Sequence, residues 1–286
     1  NVTGPAHRSS RYSGMARALT SWRNQISTGL PWRHTEMTEK RSNRGFTLME
    51  VMIGMFLSTI LISGVVALLS GSTSAYRLLL GQGQLEESGR YARDVLITHI
   101  SQAGFQPKPW LDLPGFSALT NESVDSGSST ADQLGLQRWS RSNCYGNDNP
   151  VTDVDGQPAF YLLQSRLRVN DANNLAITCR YGADSSQLST QINNFGLVEG
   201  VETMQVLYAE DRDDDDIADG WVKAQAWTQE SNIRAVKVAL LLSTDHPFEE
   251  ATSKQITLLD ESVTTTADGH LRSVKSLTSA IRGRLK

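Results

Sequence analysis

From residue 46 the chain is apolar for 24 positions, FTLMEVMIGMFLSTILISGVVALL, and Glu50 is the single charge among residues 46–69. As a helix this run is about 36 Å long at 1.5 Å per residue, enough to cross a hydrocarbon core of about 30 Å. It is apolar on every side, whereas a helix in a soluble core carries one apolar stripe. The pattern therefore predicts a membrane helix. Beyond residue 84 a stripe does emerge. Leu85, Ser88, Ala92, Val95, Leu96, His99 and Ala103 recur at three- and four-residue steps, with Glu86, Glu87, Arg90, Arg93 and Asp94 on the other faces. No proline falls within residues 46–106, so the spacing predicts one helix over 46–103 with its transmembrane part at 46–69. Gly71, Gly81, Gly83 and Gly89 each cost roughly 1 kcal/mol relative to Ala, which makes 71–83 the softest zone.

Pro107 and Pro109 end the helical pattern, and a loop rich in Gly, Ser and Asp follows to Asp132. Strand-like runs then come at 133–140, 160–169, 175–181, 202–208 and 233–243. The residues between the second and third, Asn170 to Asn174, have the length and composition of a hairpin loop. In the last run Val236, Val238, Leu240 and Leu242 alternate with other residues. This order predicts an α+β fold over 104–286, an antiparallel sheet laid on the lower half of the long helix, with a closing strand or helix in 270–286.

Charge changes the picture at the N-terminus. Residues 1–45 hold eight Lys and Arg against Glu36 and Glu39, a balance of +6, which leaves −10 on the rest. A basic head on an acidic body points to a targeting segment, and it argues against nucleic acid as a partner. An ordinary secretory signal would place a small-residue cleavage site after its apolar run. Here the order is reversed, because the basic stretch ends at Gly45 and the apolar run follows directly. Lys40, Arg41 and Arg44 hold this end on the cytoplasmic side, so the bulk of the chain is expected across the membrane. Met37 is a natural start for a leader over 37–45, with residues 1–36 read as a mis-assigned start or as disordered. Export makes one disulfide the expected state of Cys144 and Cys179, the two cysteines of the chain.

Glu50 costs roughly 2.5–3.5 kcal/mol at mid-membrane and needs a reason to be there. It lies four residues after Phe46, so a cut after Gly45 would create an amine one helical turn from its carboxylate. Arg44-Gly45-Phe46-Thr47-Leu48-Met49-Glu50-Val51 resembles the processing site of type IV pilins and type II secretion pseudopilins. The order of elements in 200–240 resembles the PilW family of minor type IV pilins: Gly200-Val-Glu-Thr-Met-Gln-Val-Leu-Tyr208, an Asp-rich loop, then Ile233-Arg-Ala-Val-Lys-Val-Ala-Leu240. The ending Ala280-Ile-Arg-Gly-Arg-Leu285 is similar too.

The resemblance implies a type IV pilin-like fold and cleavage between Gly45 and Phe46 by a prepilin peptidase, with N-methylation of Phe46. It assigns Glu50 to assembly. It further implies a minor pilin held in the bacterial inner membrane with its C-terminal domain periplasmic, and later in the pilus at the cell surface. Such a subunit helps initiate assembly, at the tip or within the fibre, and supports twitching motility or adhesion. Its partners would be other minor pilins, the major pilin and a tip adhesin. Minor pseudopilin J of the type II secretion system is the alternative, and a globular part that itself binds a surface is a third reading.

One ligand site is suggested by the residues themselves. In Glu210-Asp-Arg-Asp-Asp-Asp-Asp-Ile-Ala-Asp-Gly220, Asp211, Asp213, Asp215 and Asp219 stand at positions 1, 3, 5 and 9 of a calcium loop, and Ile217 offers a carbonyl at position 7. So many carboxylates repel one another unless a cation is present, which makes Ca2+ the candidate cofactor. Asp216 replaces the usual Gly, and Val222 the usual Glu. No G-x-S-x-G, P-loop, H-E-x-x-H or C-x-x-C occurs, so a structural rather than an enzymatic role is expected.

Overall fold

The structure, a computed structural model, describes residues 45–107, 116–127, 130–248 and 250–284. The leader, including Met37, Lys40, Arg41 and Arg44, lies outside these residues, as does Leu285 at the other end.

Helix α1 spans Leu48–Gln102 without a break. Thr47 starts it: its hydroxyl and carbonyl both accept the N–H of Glu50, at 3.3 and 3.1 Å. The chain forms two compact units, residues 1–60 and 61–286. In the second, the buried stripe of α1 is Gly81, Leu85, Gly89, Ala92, Leu96 and Ile100. Ser88, Val95 and His99, expected on that stripe, are only half-buried, whereas Gly81, Gly89 and Ile100 belong to it. The two glycines have a packing reason. A Cβ at Gly81 would lie 2.9 Å from Leu271, and one at Gly89 would lie 2.8 Å from the Lys275 side chain. They let the helix approach the sheet, and the helix runs unbroken through 71–83.

The strands are β1 (Gln133–Ser140), β2 (Tyr161–Val169), β3 (Asn174–Gly182), β4 (Ser189–Glu199), β5 (Val201–Glu210), β6 (Gly220–Val222), β7 (Ile233–Pro247), β8 (Gln255–Leu258), β9 (Glu261–Thr264) and β10 (His270–Ala280). They do not make the single sheet expected. β1-β2-β3-β4 form one antiparallel meander, β10-β7-β5-β6 form a second antiparallel sheet, and β8-β9 are a separate hairpin. The split occurs at Gly200, the one residue between β4 and β5. Its φ is 74°, and a Cβ there would stand 2.5 Å from the carbonyl oxygen of Ser243, so only glycine can turn the chain here.

One core joins both sheets to the helix: Leu85, Ala92, Leu96 and Ile100 meet Leu134, Leu136, Leu167 and Leu175 of the first sheet and Val206, Val238, Leu240 and Leu277 of the second. Val236, Val238, Leu240 and Leu242 face this core, while Ala239 and Leu241 on the opposite face of β7 are covered by Leu258, the last residue of β8. At the edge of the second sheet, Arg272 on β10 is gripped by Glu202 of β5 at 2.8 Å and by Asp268 at 2.6 Å.

Candidate processing, assembly and cation sites

The described residues of the N-terminal unit, 45–60, are all exposed. Gly45, Phe46 and Glu50 are exposed, Phe46 at 82 %. A Cβ on Gly45 would meet nothing within 4 Å, and its backbone lacks the left-handed φ that needs glycine. Nothing in the packing of the described residues therefore requires Gly45. From Leu48 to Leu80 every large apolar side chain of α1 is exposed, including Met52, Phe56, Leu61, Val65 and Leu69. Among the described residues α1 is the one helix long and apolar enough to cross a membrane. Water does not tolerate so much apolar surface, so this segment anchors the chain in a membrane or against other apolar helices.

Cys144 and Cys179 are joined, with Cα atoms 5.9 Å apart. The bond ties the excursion after β1 to the middle of β3, beside Leu163 and Tyr181. The backbone N–H of Cys144 also donates to the Gln191 side chain at 3.0 Å, and the Tyr145 hydroxyl donates to the Gln191 carbonyl, which fastens the same excursion to β4.

The acidic run between β5 and β6 is ordered by its own first members. Glu210, only 1 % exposed, accepts from the backbone of Thr228 and Gln229 and from Arg212. Asp211 is fully buried and accepts the backbone N–H groups of Asp214, Asp215 and Asp216 at 2.7, 3.2 and 2.9 Å. Its second partner is Arg234, the second residue of β7, whose guanidinium reaches Asp211 at 2.7 Å, Asp214 at 3.2 Å and Asp216 at 2.9 Å. Burial alone would push the Asp211 carboxyl up, but Arg234 and the loop N–H groups outweigh it and hold it below the ordinary range.

The protein itself supplies one cation to this run. Arg234 takes one side of the loop, Asp211, Asp214 and Asp216. On another side Asp211, Asp213 and Asp215 bring carboxylate oxygens within 4.8 Å of one another. Asp216 takes φ 67°, the conformation that glycine supplies at that loop position. Asp219 is engaged by the Arg212 N–H at 2.7 Å, and the Ile217 N–H donates to Asp215 at 2.8 Å.

Three comparisons bear on this geometry. Residues 160–283 match the family model of the type IV pilus-assembly protein W, and residues 40–66 match the prokaryotic N-terminal methylation motif. A type IV-like pilin from Thermus thermophilus is similar in structure at 18% identity and a TM-score of 0.43, covering 71% of this chain and 98% of its own. No curated protein matches the chain. The chain thus carries a prokaryotic N-terminal methylation motif over residues 40–66 and a type IV pilus-assembly protein W domain over residues 160–283.

Proposed function

We propose that this protein is a minor pilin that is cut between Gly45 and Phe46, methylated on Phe46, and then helps to start and joins a type IV pilus. The observation that carries the reading is the exposed apolar face of α1 with a carboxylate in its first turn. A membrane anchor alone gains nothing from Glu50, because lipid rewards its removal. A packed bundle of such helices does gain from it, since the Glu50 carboxylate and the Phe46 amine, its own or a neighbour's, neutralise each other where an unpaired ion is costly. A prepilin peptidase is the implied processing partner. The free glycine at 45 supports that role, for nothing in the described fold asks for it. On this reading the sheets lie in the periplasm until assembly brings them to the cell surface, at the tip or within the fibre.

The test is Glu50→Leu. Cleaved, membrane-resident protein is expected at normal level, with piliation and recovery in sheared fibres reduced at least about ten-fold, the scale of one lost charge pair. Glu50→Gln should behave alike. Normal incorporation of Glu50→Leu would refute the pairing, and a mature N-terminus other than Phe46 would refute the processing. A requirement for protein secretion rather than for pili would favour the type II pseudopilin alternative.

For the acidic loop we propose Ca2+ bound through Asp211, Asp213 and Asp215, with the Ile217 carbonyl and Asp219 completing an oxygen shell. The close approach of the three carboxylates supports it, and calcium is a hard ion that prefers such oxygens. A ligand that binds only the folded state raises the melting temperature by mass action. Calcium should therefore raise it, and Asp213→Asn with Asp215→Asn should abolish the rise. An unchanged melting temperature with calcium or chelator would overturn the calcium site and leave Arg234 as the counter-ion of Asp211, Asp214 and Asp216.

A further inference from the structure

Where α1 ends, residues 101–105 meet the end of β1 and the 3-10 turn Arg282–Arg284. The junction is fixed by backbone. The N–H of Gly104 donates to the Gln137 carbonyl and the N–H of Trp139 to the Phe105 carbonyl, both at 2.9 Å. Gly283 comes so near that a Cβ there would lie 2.4 Å from the Gly104 carbonyl carbon. Beside this junction is an open groove of about 470 Å3, walled by Phe105, Trp139 and Phe160 and rimmed by Arg138, Arg141 and Arg282. The Phe105 and Phe160 rings stand 6.1 Å apart.

The donors in this groove are not all used. Arg141 is committed, paired with Asp153 at 3.1 Å and lying 4.3 Å from the centre of the Phe160 ring. The side chains of Arg138 and Arg282 make no hydrogen bond or ion pair with any described residue. The indole Nε1–H of Trp139 is buried and likewise unpaired among the described residues. A buried donor without a partner destabilises the fold. A helix C-terminus attracts one cation through its dipole, but that does not account for two guanidiniums and a buried indole N–H that have no partner among the described residues. The basic rim also contrasts with the −10 balance of residues 46–286.

We propose that this groove docks a carboxylate-bearing segment of a neighbouring pilin subunit, in which an Asp or Glu adjoins an aromatic or leucine side chain. Arg138 and Arg282 receive the carboxylate, and Phe105, Trp139 and Phe160 cover the apolar side chain. Guanidiniums are suited to this because a charge-assisted pair with a carboxylate can be bidentate. A peptide fits better than a sugar acid, whose hydroxyls would find few partners on three aromatic walls. The proposal rests on the pilus reading for the identity of the partner only, since the binding chemistry stands apart from assembly through Glu50.

The test uses the full chain in detergent micelles with 15N-labelled indoles, the Trp139 signal being identified by its loss in Trp139→Phe. Titration with acetyl-Asp-Phe-amide should shift that signal saturably, and acetyl-Asn-Phe-amide should bind about ten-fold more weakly or less. Arg138→Gln with Arg282→Gln should remove the preference for Asp while the other indole signals stay in place. Equal binding of the two peptides, an unchanged preference in the arginine variant, or no saturable shift at about 10 mM would each overturn the proposal. Tighter binding of digalacturonic acid than of the Asp peptide would overturn the choice of a peptide. Failure here leaves the Glu50→Leu result unaffected, so the two readings fail separately.

Discussion

Asp132 shows how this fold keeps a charge inside. It is 2 % exposed at the entrance of β1. One carboxylate oxygen accepts the N–H of Ser126 at 2.9 Å, the other accepts that of Val206 at 2.8 Å, and its own N–H donates to the Met204 carbonyl at 2.8 Å. Burial pushes its pKa up from 3.8 to about 6, the nearby charges of Asp125 and Glu261 add to this, and the two N–H groups oppose it. The folded value lies above the unfolded one, so the fold favours the protonated acid. The penalty for ionising it is absent below pH 3.8 and complete above about 6. Lowering pH from 7 to 5 should therefore raise the melting temperature of the wild type relative to Asp132→Asn, and a parallel pH profile for the two proteins would contradict this. Sequence pattern does not reveal such a residue. Asp132 closes a loop rich in Ser and Asp, and its partner Val206 is 74 positions away.

At the scale of elements, Arg234 was the readable signal for the acidic loop. It is in phase with Val236, Val238 and Leu240, the core-facing positions of β7, and a charge in that phase needs a partner. The densest acid in the chain lies just before that strand. Replacing Arg234 by Gln leaves fully buried Asp211 without its cation, at an expected cost of about 3–5 kcal/mol in urea unfolding. Asp213→Asn, at an exposed carboxylate, should change stability by less than about 0.5 kcal/mol without calcium. The strands read from the sequence, β1, β2, β3, β5 and β7, all send recurring apolar residues into the core. β4 has no such rhythm, because most of its residues are exposed on both faces, Phe195 at 61 %. β6 has three residues and β8 and β9 four each, too short for a period to show. The apolar half of α1 and the methylation motif that overlaps it were legible because each is written in a short continuous stretch of sequence. The groove at the end of α1 was not, for its walls come from residues 105, 139 and 160 and its rim from 138, 141 and 282.

For the whole molecule, the disulfide is the covalent restraint on the first sheet. It closes a loop with a sequence separation of 35, worth about 4 kcal/mol in the chain-entropy picture. Cys144→Ser with Cys179→Ser should lower the free energy of unfolding by about that amount, measured in urea against the oxidised wild type, and should bring the wild type and variant together under reductant. Identical urea midpoints would remove the bond from any account of stability.

The turn at Gly200 also has a consequence in time. Everything that pairs within the first sheet lies before it, in residues 133–199, and everything that pairs within the second lies after it. If the chain is exported from its N-terminal side, as proposed above, it delivers one complete meander, both of its thiols included, before the first strand of the next has emerged. Strand pairing and oxidation in the leading half need nothing that is still on the other side. The trailing half arrives to find an edge of the core already built, so β5, β7 and β10 are added to a template rather than searching for one another in an unstructured chain.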